Sequence, residues 1–265
     1  MINQKQIIQD LDKIREKAPL VHNITNYVVM NSTANALISI GASPVMAHAI
    51  EEMEDMVTLS SALVINIGTL SEKWIEAMHL AGKSAKNKGI PVVLDPVGAG
   101  ATTYRTDATK SIIKEINPQI IRSNASELLA IANTGFVTKG VDSTVSSENA
   151  LEAAKELAKN TGSVISISGK TDYVTNGKDI NIINNGHPLM GKVTGTGCIA
   201  TAITAAFASI NYHFFSAATE AMIIMGIAGE MAAEEADAPG TFYIKFLDAF
   251  YKINGEQIRK HWKNG

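Results

Sequence analysis

Short apolar segments alternate with longer amphipathic ones along most of this chain. Residues 62–67 and 90–94 are runs of mostly aliphatic, β-branched side chains, which predict buried strands. Between them, Ser71 has the chemistry of a helix N-cap and Gly89 that of a helix end, so we expect a helix reaching about Lys88. This alternation of strand and helix is the main indication of the fold.

The alternation continues towards the C-terminus. Further strands are predicted at residues 119–121, 163–167, 173–175 and 180–183, and the last two flank Asn176-Gly177, a dipeptide typical of a hairpin turn. Asn124 is expected to cap a helix over residues 125–132. After Gly195 the pattern predicts helices, interrupted by a loop around residues 237–240.

A dense polar segment lies near the N-terminus. Residues 22–26 carry four polar side chains directly after the apolar residues 19–21, and an apolar helix is predicted over residues 27–40, ending at Gly41. The segment is compatible with a strand end followed by a cap at Thr25 or Asn26. Its hydrogen-bonding groups, Asn26 among them, also suit a small polar ligand.

Strands joined by crossover helices predict an α/β fold with a mostly parallel sheet and helices on both faces. Ligands of such sheets bind at the carboxyl ends of the strands. Gly68, Asp95, Arg122 and Ser168 all fall just after predicted strands, so we expect them in one crevice.

Composition narrows the function classes. The chain has 265 residues, of which 46% are apolar, and its net charge of −3 gives no electrostatic footprint for nucleic acid. One cysteine excludes an internal disulfide and favours a reducing cytoplasm. The first ten residues lack the apolar core of a signal peptide, and residues 193–211 are interpreted as a buried helix rather than a membrane span. No linker is evident, so we expect one domain over residues 1–265.

The sequence Gly195-Thr-Gly-Cys198, which leads into an apolar helix, carries the most specific chemistry. Two glycines at a helix start allow an anion to approach bare backbone amides, where the helix dipole also favours negative charge. We therefore expect phosphoryl or acyl chemistry at Gly195 and Gly197.

Three segments imitate nucleotide-binding motifs without meeting their requirements. Gly82-Lys-Ser lies inside a predicted helix, and Ser168-Gly-Lys-Thr is followed by a hairpin rather than a helix. Gly98-Ala-Gly lacks the third glycine of a dinucleotide fingerprint. A P-loop and a Rossmann fold are therefore disfavoured.

Several charged residues have two interpretations. Asp95 and Glu127 are compatible with a hydrated Mg²⁺, or with a turn residue and a first-turn acid of a helix. Arg122 is compatible with a phosphate fork or a surface charge, and Ser168 with a ligand or a satisfied turn. Cys198 is compatible with an inert core thiol, a weak base or a nucleophile, and a helix N-terminus would lower its pKa.

Taken together, these segments resemble the hydroxyethylthiazole kinase family, the thiamine-salvage branch of the ribokinase-like superfamily. The resemblance covers about residues 15–250, and its motifs occur in family order: residues 21–26, 41–46, 65–70, 94–99, 122–127, 195–198 and 240–249. It implies a ribokinase-like three-layer sandwich and phosphoryl transfer from MgATP to the hydroxyl of 4-methyl-5-(2-hydroxyethyl)thiazole. It also implies a homotrimer with active sites at subunit boundaries.

The resemblance also implies residue roles. Met46 and Gly195 would contact the thiazole, Arg122 and Ser168 would contact ATP, and Asp95 and Glu127 would organise Mg²⁺. The turn from Gly195 to Gly197 would be the anion hole for the γ-phosphate.

At Cys198 the chain has a thiol where most ribokinase-like enzymes have an aspartate base, as is typical of the thiazole kinase branch. General-base assistance is worth about 10²–10⁴-fold. Positioning alone can supply roughly 7–11 kcal/mol, so we expect the loss of the base to be tolerated.

Three alternatives stay open on the sequence. The first is another ribokinase-like kinase acting on hydroxymethylpyrimidine, pyridoxal or a sugar. The second is a binding protein for thiazole or nucleotide without catalysis, and the third is a hydrolase with Cys198 as nucleophile.

Overall fold

The computed structural model describes residues 3–132 and 150–263, which are built around one sheet of eight strands. The strands are β1 Leu20–Ile24, β2 Ser43–Val45, β3 Ala62–Asn66, β4 Val92–Asp95, β5 Ile120–Asn124, β6 Val164–Ser168, β7 Asp172–Thr175 and β8 Ile180–Ile183. Their order across the sheet is β2-β1-β3-β4-β5-β6-β7-β8. Strands β1 to β6 pair in parallel, and β7 pairs antiparallel with both β6 and β8. The predicted mostly parallel sheet and the hairpin are confirmed.

Helices cover both faces of this sheet. They are α1 Gln4–Lys17, α2 Met30–Ile40, α3 Met53–Leu59, α4 Glu72–Lys88, α5 Thr103–Ile116, α6 Ala125–Ile131, α7 Leu151–Thr161, α8 Thr196–Ile210, α9 Phe214–Glu234, α10 Pro239–Lys252 and α11 Gly255–His261. Short 3-10 helices occupy Ile50–Glu52 and Pro188–Lys192.

Alternating side chains of each strand divide the core into two layers. In β3, Ala62 and Val64 pack with α1, α2, α8, α9 and α10, whereas Leu63 and Ile65 pack with α3 to α7 on the other face. Successive residues of a strand point to opposite faces, so one apolar run supplies both layers. The result is a three-layer sandwich whose strand ends are free to form a site.

Local capping chemistry fixes several helix ends where the sequence predicts them. Ser71 accepts a hydrogen bond from the Trp74 N–H at the start of α4, and Gly89 ends that helix in the left-handed region at φ +77°. Asn124 and Glu127 form a reciprocal capping box at the start of α6.

The predicted starts of two helices, α2 and α10, are wrong. Helix α2 begins at Met30, three residues later than expected, and its N-cap Val29 makes no side-chain cap. Neither Thr25 nor Asn26 caps it, because the Asn26 side chain is bonded elsewhere, as described below. Helix α10 already begins at Pro239, so the expected loop over residues 237–240 is shorter than predicted.

The most apolar helices lie in the core. Helix α8 is buried from Ile199 to Ala208, as predicted for residues 193–211. Helix α9 is long and apolar enough to cross a membrane by length and composition alone, but 72% of its apolar window is buried inside the fold. Such burial on all sides is typical of a core helix.

Candidate active site

A crevice of about 460 Å³ lies where the parallel strands end. Gly68, Asp95, Arg122 and Ser168 all line it, which confirms that the four residues share one crevice. Arg122 lies inside β5, and Asp95 and Ser168 are the last residues of β4 and β6, so the strands extend further than predicted. Other predicted site residues that line it are Asn26, Glu127, Gly195, Gly197 and Cys198.

Met46 is placed differently. It follows β2 at the outer edge of the sheet and is partly buried. Among the residues that the structure describes, the lining of the crevice does not include it. Its carbonyl-side neighbour Ala47 accepts a hydrogen bond from Nε2 of the buried His22 at 2.9 Å, which holds this segment against β1.

The N-terminus of α8 opens into the crevice. Gly195 is its N-cap at φ +87°, a left-handed conformation that favours glycine, and no side chain caps the helix. A Cβ on Gly195 would lie 2.9 Å from Val29, and one on Gly197 would lie 2.7 Å from Nη1 of Arg122. Both glycines therefore leave the first amides of the helix open beside a guanidinium, an arrangement that suits a phosphate.

Asp95 is the buried acid of the crevice, with 1% exposure. Its Oδ2 accepts hydrogen bonds from Asn66 Nδ2 at 2.9 Å and from Thr201 Oγ1 at 2.8 Å. Burial and, to a smaller extent, the charge of Glu127 raise its pKa to about 6, and the charge of Arg122 opposes the shift. The carboxylate is thus fixed through one oxygen in a place where its charge is costly.

Glu127 is held on both carboxylate oxygens by backbone amides. Oε1 accepts from the Gly98 N–H at 2.9 Å, and Oε2 accepts from the Asn124 N–H at 3.0 Å. The acid therefore joins the loop after β4 to the start of α6, and its position is set before any ligand arrives.

Asn66 is a site residue that sequence reasoning missed. Its Oδ1 accepts from Asn26 Nδ2 and from the Gly68 N–H, both at 2.9 Å, while its Nδ2 donates to Asp95. Asn26 Nδ2 also lies 3.4 Å from Cys198 Sγ. The available signal was a polar residue at the end of an otherwise aliphatic strand. The Asn66 side chain thereby connects Asn26, in the polar segment after β1, to Asp95 at the end of β4.

Cys198 is a poor nucleophile in this environment. Burial raises the pKa of its thiol to about 11, and the nearby charge of Asp95 adds to the increase. The structure therefore corrects the expectation that the helix N-terminus lowers this pKa. No histidine belongs to the crevice lining within residues 3–132 and 150–263. Since a cysteine hydrolase needs a thiolate or a base, the geometry disfavours that alternative.

A second cavity of about 640 Å³ adjoins the first. The two share Arg122, Ser168, Thr196 and Gly197 in their linings. The guanidinium Nη2 of Arg122 donates to Ser168 Oγ at this junction. The rest of the second cavity has a floor of Ala200, Met222, Met225 and Gly226, a wall from residues 184–191, and further lining from Gly169, Lys170 and Asp172. An apolar floor with a cationic junction suits a flat ring system that carries phosphates.

Comparisons with known proteins identify the relatives of this chain. The model of the hydroxyethylthiazole kinase family matches residues 11–256. A hydroxyethylthiazole kinase of Leptospira biflexa is 56% identical over 256 residues, which cover 97% of this chain and 96% of the relative. A solved structure of a hydroxyethylthiazole kinase protein from Pyrococcus horikoshii superposes with a TM-score of 0.91 at 43% identity, covering 98% of both chains.

More distant structures share the fold alone. A ribokinase-like superfamily protein of Enterococcus faecalis superposes with a TM-score of 0.66 at 12% identity, covering 96% of both chains. A pyridoxal kinase of Staphylococcus aureus gives a TM-score of 0.61 at 15% identity, covering 80% of this chain and 88% of the other. The fold is therefore ribokinase-like, as the resemblance implied.

Proposed function

The chain belongs to the hydroxyethylthiazole kinase family, and on that premise we propose how its two cavities divide the work of the reaction. The enzyme phosphorylates the hydroxyl of 4-methyl-5-(2-hydroxyethyl)thiazole, with ATP as co-substrate. In our proposal the thiazole alcohol occupies the first cavity and the nucleotide the second. The observation that carries this assignment is the junction that both cavities share.

The second cavity is assigned to ATP because of its chemistry. Ala200, Met222 and Met225 offer an apolar surface to an adenine ring, and Arg122 with Ser168 offers donors to phosphate oxygens. The triphosphate would then extend along the junction towards the amides at the start of α8. This keeps the roles of Arg122 and Ser168 that the resemblance implied.

The first cavity is assigned to the thiazole alcohol. Val28 and Val29 supply apolar surface, and Asn26 and Gly195 lie beside them. Apolar side chains within a crevice that also carries polar and charged groups suit a small heteroaromatic ring that bears a hydroxyl group. Met46 would join this pocket from the neighbouring subunit of a homotrimer. Val28, which lines the crevice, is 66% exposed, and its chain neighbour Tyr27 is 64% exposed, which supports such a subunit boundary.

Asp95 and Glu127 are proposed to hold Mg²⁺. The hydrogen bonds from Asn66 and Thr201 both end on Oδ2 of Asp95, which leaves Oδ1 for a ligand. The charge of Glu127 contributes to the raised pKa of Asp95. A cation between the two acids would relieve that repulsion, and Mg²⁺ typically takes one or two carboxylates plus phosphate oxygens and waters. When bound, the ion would neutralise charge on the phosphates.

The protein groups then act as follows in the proposed mechanism. The substrate hydroxyl oxygen attacks the γ-phosphorus, the bond from the γ-phosphorus to the β,γ-bridging oxygen breaks, and ADP leaves with that electron pair. The hydroxyl proton passes late in the step to an oxygen of the transferred phosphoryl group and from there to solvent. The amides at Gly195–Gly197 and the Arg122 guanidinium stabilise the negative charge of the phosphoryl group during its transfer. By analogy with oxyanion holes, each such donor lowers the barrier by roughly 2.7–4 kcal/mol. Cys198, whose thiol pKa burial raises to about 11, takes no part in the proton transfer in this proposal.

The remaining assignments follow from the family and the composition. We assign residues 1–265 to one kinase domain, because both core layers share the one sheet. The single cysteine supports a reducing cytoplasm.

Two measurements test the proposed function. ATP consumption is measured with the thiazole alcohol, hydroxymethylpyrimidine, pyridoxal or no acceptor, with and without Mg²⁺. We expect ADP only with the thiazole alcohol and Mg²⁺. Absence of ADP under every condition would favour the binding-protein alternative, and preference for pyridoxal would favour another kinase of this fold.

The second measurement tests the division of the cavities. Ala200→Leu adds carbon atoms to the floor of the second cavity, where Ala200 lies on α8. We expect the KM for ATP to rise at least about tenfold while the KM for the thiazole alcohol changes less than about twofold. An increase in the thiazole KM alone would reverse the assignment.

A further inference from the structure

The wall of the second cavity is an irregular segment that needs support from outside. Residues 184–191 follow β8 and include most of a 3-10 helix, Pro188–Lys192, so no strand pairing fixes them. A binding wall of this kind holds its shape only through bonds to neighbouring elements. Thr171 donates to Asn184 and Thr196 donates to the carbonyl of Met190, and several of the other bonds converge on Glu230, near the C-terminal end of α9.

Glu230 collects donors from two directions. On the cavity side its Oε1 accepts from the Gly186 N–H at 2.8 Å, and Asn185 Nδ2 reaches its oxygens at 3.2 and 3.3 Å. On the opposite side Lys263 Nζ donates to Oε1 at 2.7 Å, and His261 Nδ1 lies 3.3 Å from Oε2. The carboxylate is largely buried, with 12% exposure. It therefore joins the cavity wall to the C-terminal end of α11 and to Lys263, which follows that helix.

Close packing prevents the wall from shifting towards the helix. A Cβ on Gly226 would lie 2.5 Å from Cβ of Asn185, and one on Gly229 would lie 2.4 Å from Sδ of Met190. Asn185 also donates to the carbonyl of His261 at 2.7 Å. The wall thus rests directly on α9, and Glu230 is the charged group that ties it there.

We propose that Glu230 is a positioning residue for the nucleotide. Acting through Asn185 and Gly186, it holds the cavity wall at the distance that ATP requires, and it makes nucleotide affinity depend on His261 and Lys263. The inference rests on the proposed placement of ATP in the second cavity. It assigns to Glu230 no contact with either substrate.

The test is Glu230→Gln, with Glu235→Gln as the matched control. Glutamine keeps the volume of Glu230 but loses its charge and one acceptor oxygen. Glu235 is the C-cap of the same helix, pairs with Lys245 and Lys252, and is absent from the lining of both cavities. We expect Glu230→Gln to raise the KM for ATP and the Kd for ADP about tenfold, the loss of one or two charge-assisted hydrogen bonds. The KM for the thiazole alcohol and kcat at saturating ATP should change less than about twofold, and the control should change nothing.

Further variants keep the test decisive. Lys263→Gln removes a donor from the same carboxylate and should raise the Kd for ADP in the same direction by a smaller factor, and it carries the test if Glu230→Gln fails to fold. An unchanged Kd for ADP in both variants, or an equal increase in the KM for both substrates, would overturn the proposal. If Ala200→Leu raises the KM for ATP but Glu230→Gln does not, only this inference fails. If neither variant changes that KM, the placement of ATP fails.

Discussion

A buried pair of acids far from the crevice makes the stability of the fold depend on pH. Glu220 of α9 is fully buried, and neither of its oxygens has a geometrically defined hydrogen-bond partner in the described part of the chain. It faces Asp10 of α1, which accepts from Gln6, Lys13 and Asn211. Burial and, to a smaller extent, the charge of Asp10 raise the pKa of Glu220 to about 9, against the opposing effects of Asn211 and Lys13. At neutral pH the Glu220 carboxyl therefore keeps its proton, beside the charged carboxylate of Asp10.

The sign and size of the effect follow from proton linkage. Between the ordinary pKa of 4.5 and about 9, the folded protein binds a proton that the unfolded chain releases, so stability falls as pH rises. The slope is at most about 1.4 kcal/mol per pH unit, which amounts to about 4 kcal/mol between pH 5 and pH 8. The lowered pKa of Asp10 acts with the opposite sign and below its ordinary value of 3.8, so it does not enter this range.

Glu220→Gln isolates this effect. Glutamine keeps the size of the side chain and donates an amide N–H to Asp10, but it has no proton to lose. We expect the free energy of unfolding of the wild type, measured by urea denaturation, to fall by several kcal/mol from pH 5 to pH 8, on the order of the linkage value. The variant should lack most of that slope, and Glu234→Gln on the exposed side of the same helix should retain it. Parallel curves for wild type and Glu220→Gln would refute the reasoning.

The other predictions concern the crevice. Cys198→Ala should keep at least about one hundredth of the wild-type kcat. Cys198→Asp should match or exceed the kcat of the wild type, since a general base is worth about 10²–10⁴-fold. Steady-state kinetics measure both values, and loss of all activity in both variants would mean that the thiol is essential. Gly197→Ala places a Cβ 2.7 Å from Arg122 Nη1 and should lower kcat about 10²-fold. A variant whose steady-state kinetics equal those of the wild type would contradict this prediction. Asp95→Asn should lower kcat more than about 10²-fold while circular dichroism stays unchanged. Iodoacetamide should alkylate Cys198 slowly at pH 8 and faster as pH approaches 11, because only the thiolate reacts.

The fold was predictable where local chemistry decides it. The period of apolar residues gave the strands, and Ser71 and Asn124 capped the helices that they were expected to cap. The predicted start of α2 was wrong because a capping preference is worth only about 1 kcal/mol. At Asn26 it competes with hydrogen bonds to Asn66 and Cys198, which lie 40 and 172 residues away in sequence.

The crevice was predictable for residues that stand at strand ends or open a helix. Asp95 and Gly195 belong to that group. The floor of the second cavity was not predictable, because Met222 and Met225 lie in a helix that is apolar on all sides. Nothing in the sequence distinguishes a methionine that faces a cavity from one that fills the core.

The junction at Arg122, Ser168, Thr196 and Gly197 has a consequence for inhibitor design. Because the two cavities meet there, a compound with a thiazole at one end and an adenosine at the other, linked by a short chain of phosphates, could fill both at once. Tethering converts the second contact into an intramolecular event, so avidity can exceed either separate affinity by about 10²–10⁴. Lengthening the tether by one phosphate at a time would measure the span between the two rings, as a molecular ruler.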